Sequence, residues 1–150
     1  MIILQRTTSD SSQFKILTEK LDHELKLIYG SSQDEFDQYN IVNHLDTVVI
    51  AFIKDTPVGC GCIKKFDTAS AELKRMFVDA NYRGQGIGSA LLTELENWAK
   101  EIKYSSLVLE TGTVQQDAIK LYQKHGYHII PNFDPYIGNE LSICFEKSLE

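Results

Sequence analysis

Six consecutive residues, Arg83-Gly84-Gln85-Gly86-Ile87-Gly88, carry the first chemical suggestion in this chain of 150 residues. Ahead of them, Ala71 to Val78 is rich in apolar residues that suit a strand. Behind them, Ile87, Leu91, Leu95, Trp98 and Ile102 recur every three or four positions, which is one apolar stripe on a helix. The glycines therefore fall where a strand turns into a helix. A residue without a Cβ lets backbone N–H groups turn inward, and a helix N-terminus adds unsatisfied donors and a partial positive charge. That combination suits phosphate or pyrophosphate. A tight strand–helix turn with no ligand would use the same glycines. The loop is not a Walker loop, because Gly88 is followed by Ser89-Ala90, and its G-x-G-x-G spacing is not that of a dinucleotide fold.

The elements that position this loop can be read in chain order. Ile2 to Arg6 suits a short strand, and Thr8, Ser9 and Asp10 offer helix caps. Phe14, Leu17, Leu21, Leu25 and Ile28 mark a long amphipathic helix that Gly30 stops. Ser32-Gln33-Asp34-Glu35 has the capping-box pattern, so a second, short helix is expected through Tyr39. Thr47 to Lys54 and Val58 to Phe66 read as a hairpin turning at Asp55-Thr56-Pro57. Gly59 and Gly61 weaken its second strand where another segment would pack closely. A turn over Asp67 to Ser70 leads into the strand before the glycines. In that strand Glu72, Met76 and Val78 share one parity, and Leu73 and Phe77 the other. Beyond the long helix come a strand from Ser105 to Glu110 and a helix from Gln115 to Lys124 closed by Gly126. A short strand from Tyr127 to Ile130, a Pro-containing loop and a last strand follow. In the last strand Leu141, Ile143 and Phe145 alternate with Ser142, Cys144 and Glu146.

This order, β-α-α-β-β-β-α-β-α-β-β, places antiparallel hairpins before a single crossover. It predicts an α/β fold of the α+β type, a single domain over residues 1–150 with a mixed, mostly antiparallel sheet flanked by helices. The 43% hydrophobic and 24% charged fractions are those of a soluble globular protein. The net charge of −6 without a basic block argues against nucleic acid and mildly favours a cationic substrate. No apolar run reaches the roughly 20 residues of a membrane span. The N-terminal stretch is too short and too promptly polar for a signal peptide, so the cytoplasm is the expected location. Cys60, Cys62 and Cys144 read as small buried hydrophobes rather than a disulfide framework or a zinc site. His23, His44, His125 and His128 have no partner at metal-ligand spacing, and no metal is expected.

The stretch from Val78 to Leu92 resembles the acetyl-CoA-binding motif of the GNAT superfamily of N-acetyltransferases, whose Q/R-x-x-G-x-G/A core is matched by Arg83, Gly86 and Gly88. Ala118-Ile119-Lys120-Leu121-Tyr122 followed by Gly126-Tyr127 is similar to that family's A-x-x-L-Y…G-F/Y signature. The resemblance runs from about Glu72 to Gly126 and weakens in the first 45 residues. It implies a GNAT-like sheet and transfer of an acetyl group from acetyl-CoA to a primary amine by direct attack. It implies that Arg83, Gly84, Gln85, Gly86, Ile87, Gly88 and Ser89 hold the pyrophosphate, and that Phe77 and Val78 pair through their backbones with the pantetheine amides. The N–H near Val78 would meet the oxyanion. Tyr122 would act as general acid toward the coenzyme sulfur, while Tyr127 looks structural. Glu110 and Glu72 are the two candidates for a general base, directly or through water. Gln115 stands where many members carry Asn, a departure at a further coenzyme contact. Homodimers are common in the family.

Two other functions fit parts of the pattern. An acyl-CoA-binding sensor would keep the loop without catalysis. A nicotinamide-dinucleotide oxidoreductase would use Glu110, about 22 residues past Gly88, on a ribose, although the glycine spacing and the hairpins oppose it. The amine is open among small amines, amino acids, aminoglycosides and peptide amino groups. Asp22, Glu24, Asp34, Glu35 and Asp37 are an acidic cluster that could attract it or simply a solvated helix face. Asn132 to Tyr136 is a candidate pocket wall.

Overall fold

The structure is a computed structural model that describes residues 1–30 and 44–150. The capping box at Ser32, the short helix expected through Tyr39, and Asp34, Glu35 and Asp37 lie outside the described residues. Among the described residues the elements are β1 (Ile3–Thr7), α1 (Ser12–Tyr29), β2 (Val48–Ile53), β3 (Thr56–Lys65), β4 (Ser70–Val78), α2 (Ile87–Glu101), β5 (Ser106–Gly112), α3 (Gln116–Lys124), β6 (His128–Ile130) and β7 (Ser142–Ser148), with a 3-10 turn at Ala80–Tyr82. Over the described residues this is the expected order. The strands form a seven-stranded mixed sheet in the order β1-β2-β3-β4-β5-β7-β6. Pairs β1–β2, β2–β3, β5–β7 and β6–β7 are antiparallel, and β4–β5 is parallel. Such a sheet is not the doubly wound parallel sheet that the dinucleotide reading requires.

Two compact units partition the chain: Met1–Ile63 with Lys74–Leu95, and Lys64–Leu73 with Glu96–Glu150. In the first, α1 lays Phe14, Leu17 and Leu21 onto Val48, Ile50, Cys60, Cys62 and Phe77. The helix cap is Ser11, one residue past the expected candidates; its hydroxyl accepts from the Phe14 N–H. Thr8 instead receives the Asp10 and Ser11 N–H groups in the preceding turn. Gly30 ends the helix at φ 58°, as expected. The hairpin turn sits one residue early: Lys54 and Asp55 are left-handed, at φ 49° and 67°, and Thr56-Pro57 already belongs to β3. Two left-handed central residues match the twist of the flanking strands.

Gly59 is where a helix packs closely, as its place in a strand suggested. A Cβ there would stand 3.0 Å from the Phe77 carbonyl oxygen and 3.0 Å from Leu91 of α2. One feature of β4 has no sequence signal. Arg75 is left-handed within the strand, at φ 57°, a conformation that costs an L residue roughly 1–2 kcal/mol. It breaks the pleat, so the parity linking Glu72 to Met76 and Val78 does not carry through it.

In the second unit, Leu107 and Leu109 of β5, Tyr122 of α3, Tyr127 and Phe145 of β7 are buried. Tyr127 donates to Glu96 Oε2 at 2.8 Å, and Lys147 Nζ meets Glu96 Oε1 at 2.9 Å, so this buried carboxylate is doubly held. Tyr127 is structural, as expected. Asn132 is not a free wall residue. Its Nδ2 donates to the carbonyls of Tyr136, Asn139 and Ser142, which closes the loop on itself.

Candidate functional site

In the first unit, the glycine loop leaves the end of β4 and opens α2. Gly84 and Gly86 both lie at φ 82°, and a Cβ at either would meet nothing within 4 Å. Only glycine adopts this backbone readily, and the space beside it is open. The Gly86 carbonyl accepts from the Ala90 N–H at 3.0 Å, starting the helix. The first N–H groups of any helix have no intrahelical acceptor. A backbone cradle of this kind accepts a pyrophosphate, so the residues present fit the group that the motif implies.

Arg83 is turned away from that cradle. Its Nη2 meets both oxygens of Glu24 at 2.8 Å, its Nε donates to the Val78 carbonyl at 2.9 Å, and its guanidinium lies 5.8 Å from the Phe77 ring centre. The Phe77 side chain is buried in the core, leaving its backbone for other contacts. Asp79 is held below the usual carboxylate range, first by the Asn81 N–H on Oδ1 and then by Lys20 on Oδ2. Asp22 and Glu24, read as a lure for an amine or as a solvated face, are instead ion-pair partners of Arg75 and Arg83.

In the second unit, the Glu110 charge acts on Tyr122, and Glu110 and Glu72 both act on Cys144 of β7. Tyr122 is 6% exposed, with its ring edge-on to Tyr127 at 5.8 Å and tilted against Phe145 at 6.2 Å. Its hydroxyl has no hydrogen-bond partner among the described residues. Burial pushes this phenol well above its ordinary value, and the Glu110 carboxylate pushes it further. A buried polar group left unsatisfied is uncommon and calls for an explanation. Glu110 Oε2 accepts from Ser142 Oγ at 2.7 Å. Glu72 is 8% exposed and pairs with Val108 in the parallel register. Both carboxylates act on one thiol: Cys144, opposite Glu110 in the β5–β7 ladder, is pushed up to about 11, mainly by burial. Gln115 precedes α3 without capping it through its side chain.

Ser142 is the residue that the sequence reading passed over. Its signal was the period-2 pattern that puts Ser142 on the same face as Cys144. Of the polar set of that alternation, Ser142 and Cys144 are buried, at 7% and 0% exposed, and Glu146 is half-buried. Among the described residues, no group of three or more His, Cys, Asp or Glu could hold a metal ion, and no helix is long and apolar enough to cross a membrane.

Comparison with known proteins agrees with this geometry. The model of the acetyltransferase (GNAT) family matches residues 15–127. An IAA acetyltransferase of Azospirillum brasilense is 37% identical over 136 residues, 89% of this chain and 88% of that protein. A GNAT family acetyltransferase from Elizabethkingia anophelis, solved with acetyl-CoA bound, is 25% identical and superposes at a TM-score of 0.67 over 98% of this chain and 97% of the other. A GNAT acetyltransferase from Staphylococcus aureus Mu50, at 19% identity and a TM-score of 0.75 with all of both chains covered, shares the fold. With the family model spanning most of the chain, this protein belongs to the acetyltransferase (GNAT) family and is an acetyl-CoA-dependent acetyltransferase.

Proposed function

We propose that this protein, acting as one N-acetyltransferase domain, moves the acetyl group of acetyl-CoA to a primary amine by direct attack in a ternary complex. The observation that carries this reading is the Tyr122 hydroxyl, buried and within the field of Glu110, with no hydrogen-bond partner among the described residues. The loop amides from Gly84 to Ser89 hold the pyrophosphate. The backbones of Phe77 and Val78 hold the pantetheine, and the Val78 N–H meets the carbonyl oxygen as it gains charge. Arg83 serves the loop through its backbone and its brace to Glu24, not through its charge. Acetyl-CoA supplies an activated thioester.

The amine arrives protonated, since alkylamines titrate near ~10. Glu110, oriented by Ser142, takes its proton directly or through water, with Glu72 as the neighbouring second carboxylate. The nitrogen forms the new amide bond to the acetyl carbon, the C–S bond breaks, Tyr122 donates its proton to the departing sulfur, and the second proton that the nitrogen must lose passes through water back to the Tyr122 oxygen, while Glu110 releases the first to solvent. Burial keeps Tyr122 protonated at neutral pH. The same desolvation raises the affinity of the thiolate for that proton, so donor and acceptor rise together.

The test is a thermal-shift series with acetyl-CoA, CoA and nicotinamide dinucleotides, followed by product mass analysis over an amine panel. At ~100 times the dissociation constant, a ligand stabilises by about 2.7 kcal/mol. For a chain this size that is about 5–11 °C, at ~2–4 °C per kcal/mol. The expected result is a shift with acetyl-CoA and CoA only, and an N-acetylated product. A shift without acetylation of any amine would leave a coenzyme sensor in place of an enzyme.

A further inference from the structure

A cavity of about 320 Å³ lies wholly within the first unit, lined by Asp10, Phe14, Lys15, Thr18, His44 and Arg75. Its size is at the low end for small-molecule sites. The functional reading above uses none of these residues. At its wall stands Arg75, the residue held left-handed in β4, with a side chain only 6% exposed. Arg75 Nη2 donates to the Thr18 carbonyl at 3.1 Å and to Asp22 Oδ1 at 2.8 Å. These are its side-chain hydrogen bonds among the described residues, and both run through that one nitrogen. A guanidinium has five donors in a planar fork, so among the described residues its remaining edge is open to an acceptor. Lys15 lies three residues before Thr18 on α1 and lines the same cavity. Its ammonium has no ion-pair partner among the described residues.

Among the described residues, Asp22 balances the Arg75 charge through Nη2, and the Lys15 ammonium is the cation without a paired carboxylate. Asp10 faces His44 Nδ1 at 3.3 Å, and His44 Nε2 also meets Asp46 at 2.8 Å. Asp22 is 47% exposed and satisfied on Nη2. Asp10 in the lining and Asp22 on Arg75 disfavour a dianion, whereas a single carboxylate suits a guanidinium edge and an ammonium. Arg75 is three residues from Val78 on β4, about 10 Å along a strand. The acceptor of the proposed transfer would sit within that distance of the Val78 N–H.

We propose that this cavity binds the carboxylate of the acceptor, so that the amine acetylated by this enzyme is an amino acid. The inference rests on the N-acetyltransferase reading and extends it to the substrate class. Arg75 and Lys15 bind the carboxylate, and Phe14 lines the apolar side.

The experiment uses the full chain with acetyl-CoA. Each amino acid of a panel is offered beside its own carboxamide and its own decarboxylated amine, with phosphoethanolamine and ethanolamine as a further pair. Product is read by mass and CoA release by absorbance. For at least one trio the acid is expected to show a kcat/KM at least tenfold above its carboxamide, with the difference mainly in KM. Lys15→Gln, at an exposed position that folding tolerates, and Arg75→Lys, which keeps the charge without the fork, should each shrink that acid-to-carboxamide ratio fivefold or more. Equal use of carboxamides, preference for phosphoethanolamine, or an unchanged ratio in folded variants would overturn the inference. A thermal shift with acetyl-CoA is recorded in every sample. Transfer only to uncharged-tail amines defeats this inference and leaves N-acetyl transfer standing. No transfer to any amine, or no shift at all, defeats the underlying reading as well.

Discussion

Replacing Tyr122 by Phe separates chemistry from packing better than any other change in this chain. The ring contacts with Tyr127 and Phe145 survive the substitution. Because the hydroxyl has no partner among the described residues, its removal breaks no hydrogen bond there. It also relieves a desolvation penalty of roughly 1–3 kcal/mol. Stability should therefore hold or rise. The turnover number should fall by about tenfold or more, within the ~10²–10⁴ that positioned acids supply at the upper end. At ~1.4 kcal/mol per decade this is about 1.4–5.5 kcal/mol of barrier. Acetyl-CoA affinity should change little, since the pyrophosphate loop is untouched. An acyl donor with a better leaving thiolate should shrink the loss.

The pH dependence adds a second reading on the same variant. A phenol raised on folding contributes stability that is full below about 10, its unfolded value, and is lost as pH rises through the folded value. Tyr122→Phe should therefore blunt the alkaline loss of stability, leaving the part due to Tyr127, which is also raised. The assay is the initial rate of thiol release, normalised to the folded fraction by circular dichroism, with the coenzyme dissociation constant measured on the same stock. Full turnover in a folded, coenzyme-binding variant would refute the acid role and leave solvent as the proton source.

Gly59→Ala would press a Cβ to 3.0 Å from the Phe77 carbonyl and from Leu91. It should cost about 1–3 kcal/mol, a drop of roughly 2–12 °C in Tm by calorimetry; an unchanged Tm would mean that α2 can retreat freely. Tyr127→Phe leaves the buried Glu96 with one fewer donor and should lose about 1–3 kcal/mol in denaturant titrations while turnover per folded molecule stays put, the reverse of Tyr122→Phe. Asp79→Asn should flatten the acid limb of the stability curve. The folded carboxyl is lowered, so its contribution is full above about 3.9 and lost as pH falls below that; identical acid limbs in the two proteins would remove Asp79 from that account.

Much of the fold was legible because periodicity reports burial. The stripe from Phe14 to Ile28 is core through Leu21 and that from Ile87 to Ile102 is core through Leu95, whereas Ile28 and Ile102 at their ends are exposed. Gly30 and two of the three loop glycines, Gly84 and Gly86, take the left-handed backbone. What escaped the sequence was long-range or non-periodic. The ion pairs Asp22–Arg75 and Glu24–Arg83 join residues 53 and 59 positions apart, so the acidic residues of α1 read as a free surface. The left-handed turn at Arg75 could not be read at all, because an arginine gives no cue for positive φ. Ser142 was visible as one term of an alternation but not as the donor to Glu110, since that needs the β5–β7 register.

Glu110 and Tyr122 are coupled, and the coupling has a direction that the proposed reaction can use. While Glu110 is ionised, its charge opposes formation of a phenolate at Tyr122. Once Glu110 has taken the amine proton that charge is gone, and Tyr122 becomes the stronger acid when the sulfur departs. Ser142 holds Glu110 Oε2 at 2.7 Å and so fixes the carboxylate that takes part in this exchange. Deprotonating the amine and protonating the thiolate are then one relay rather than two independent contributions. Residues that act as a unit are strongly non-additive. In a cycle of Glu110→Gln with Tyr122→Phe, the double variant should lose far less turnover than the product of the two single losses. Glutamine removes both the base and the charge that restrains the phenol, so little remains for the second substitution to remove. Losses that simply multiply would show two separate proton paths, and Glu110 would then act on Tyr122 only as a bystander charge.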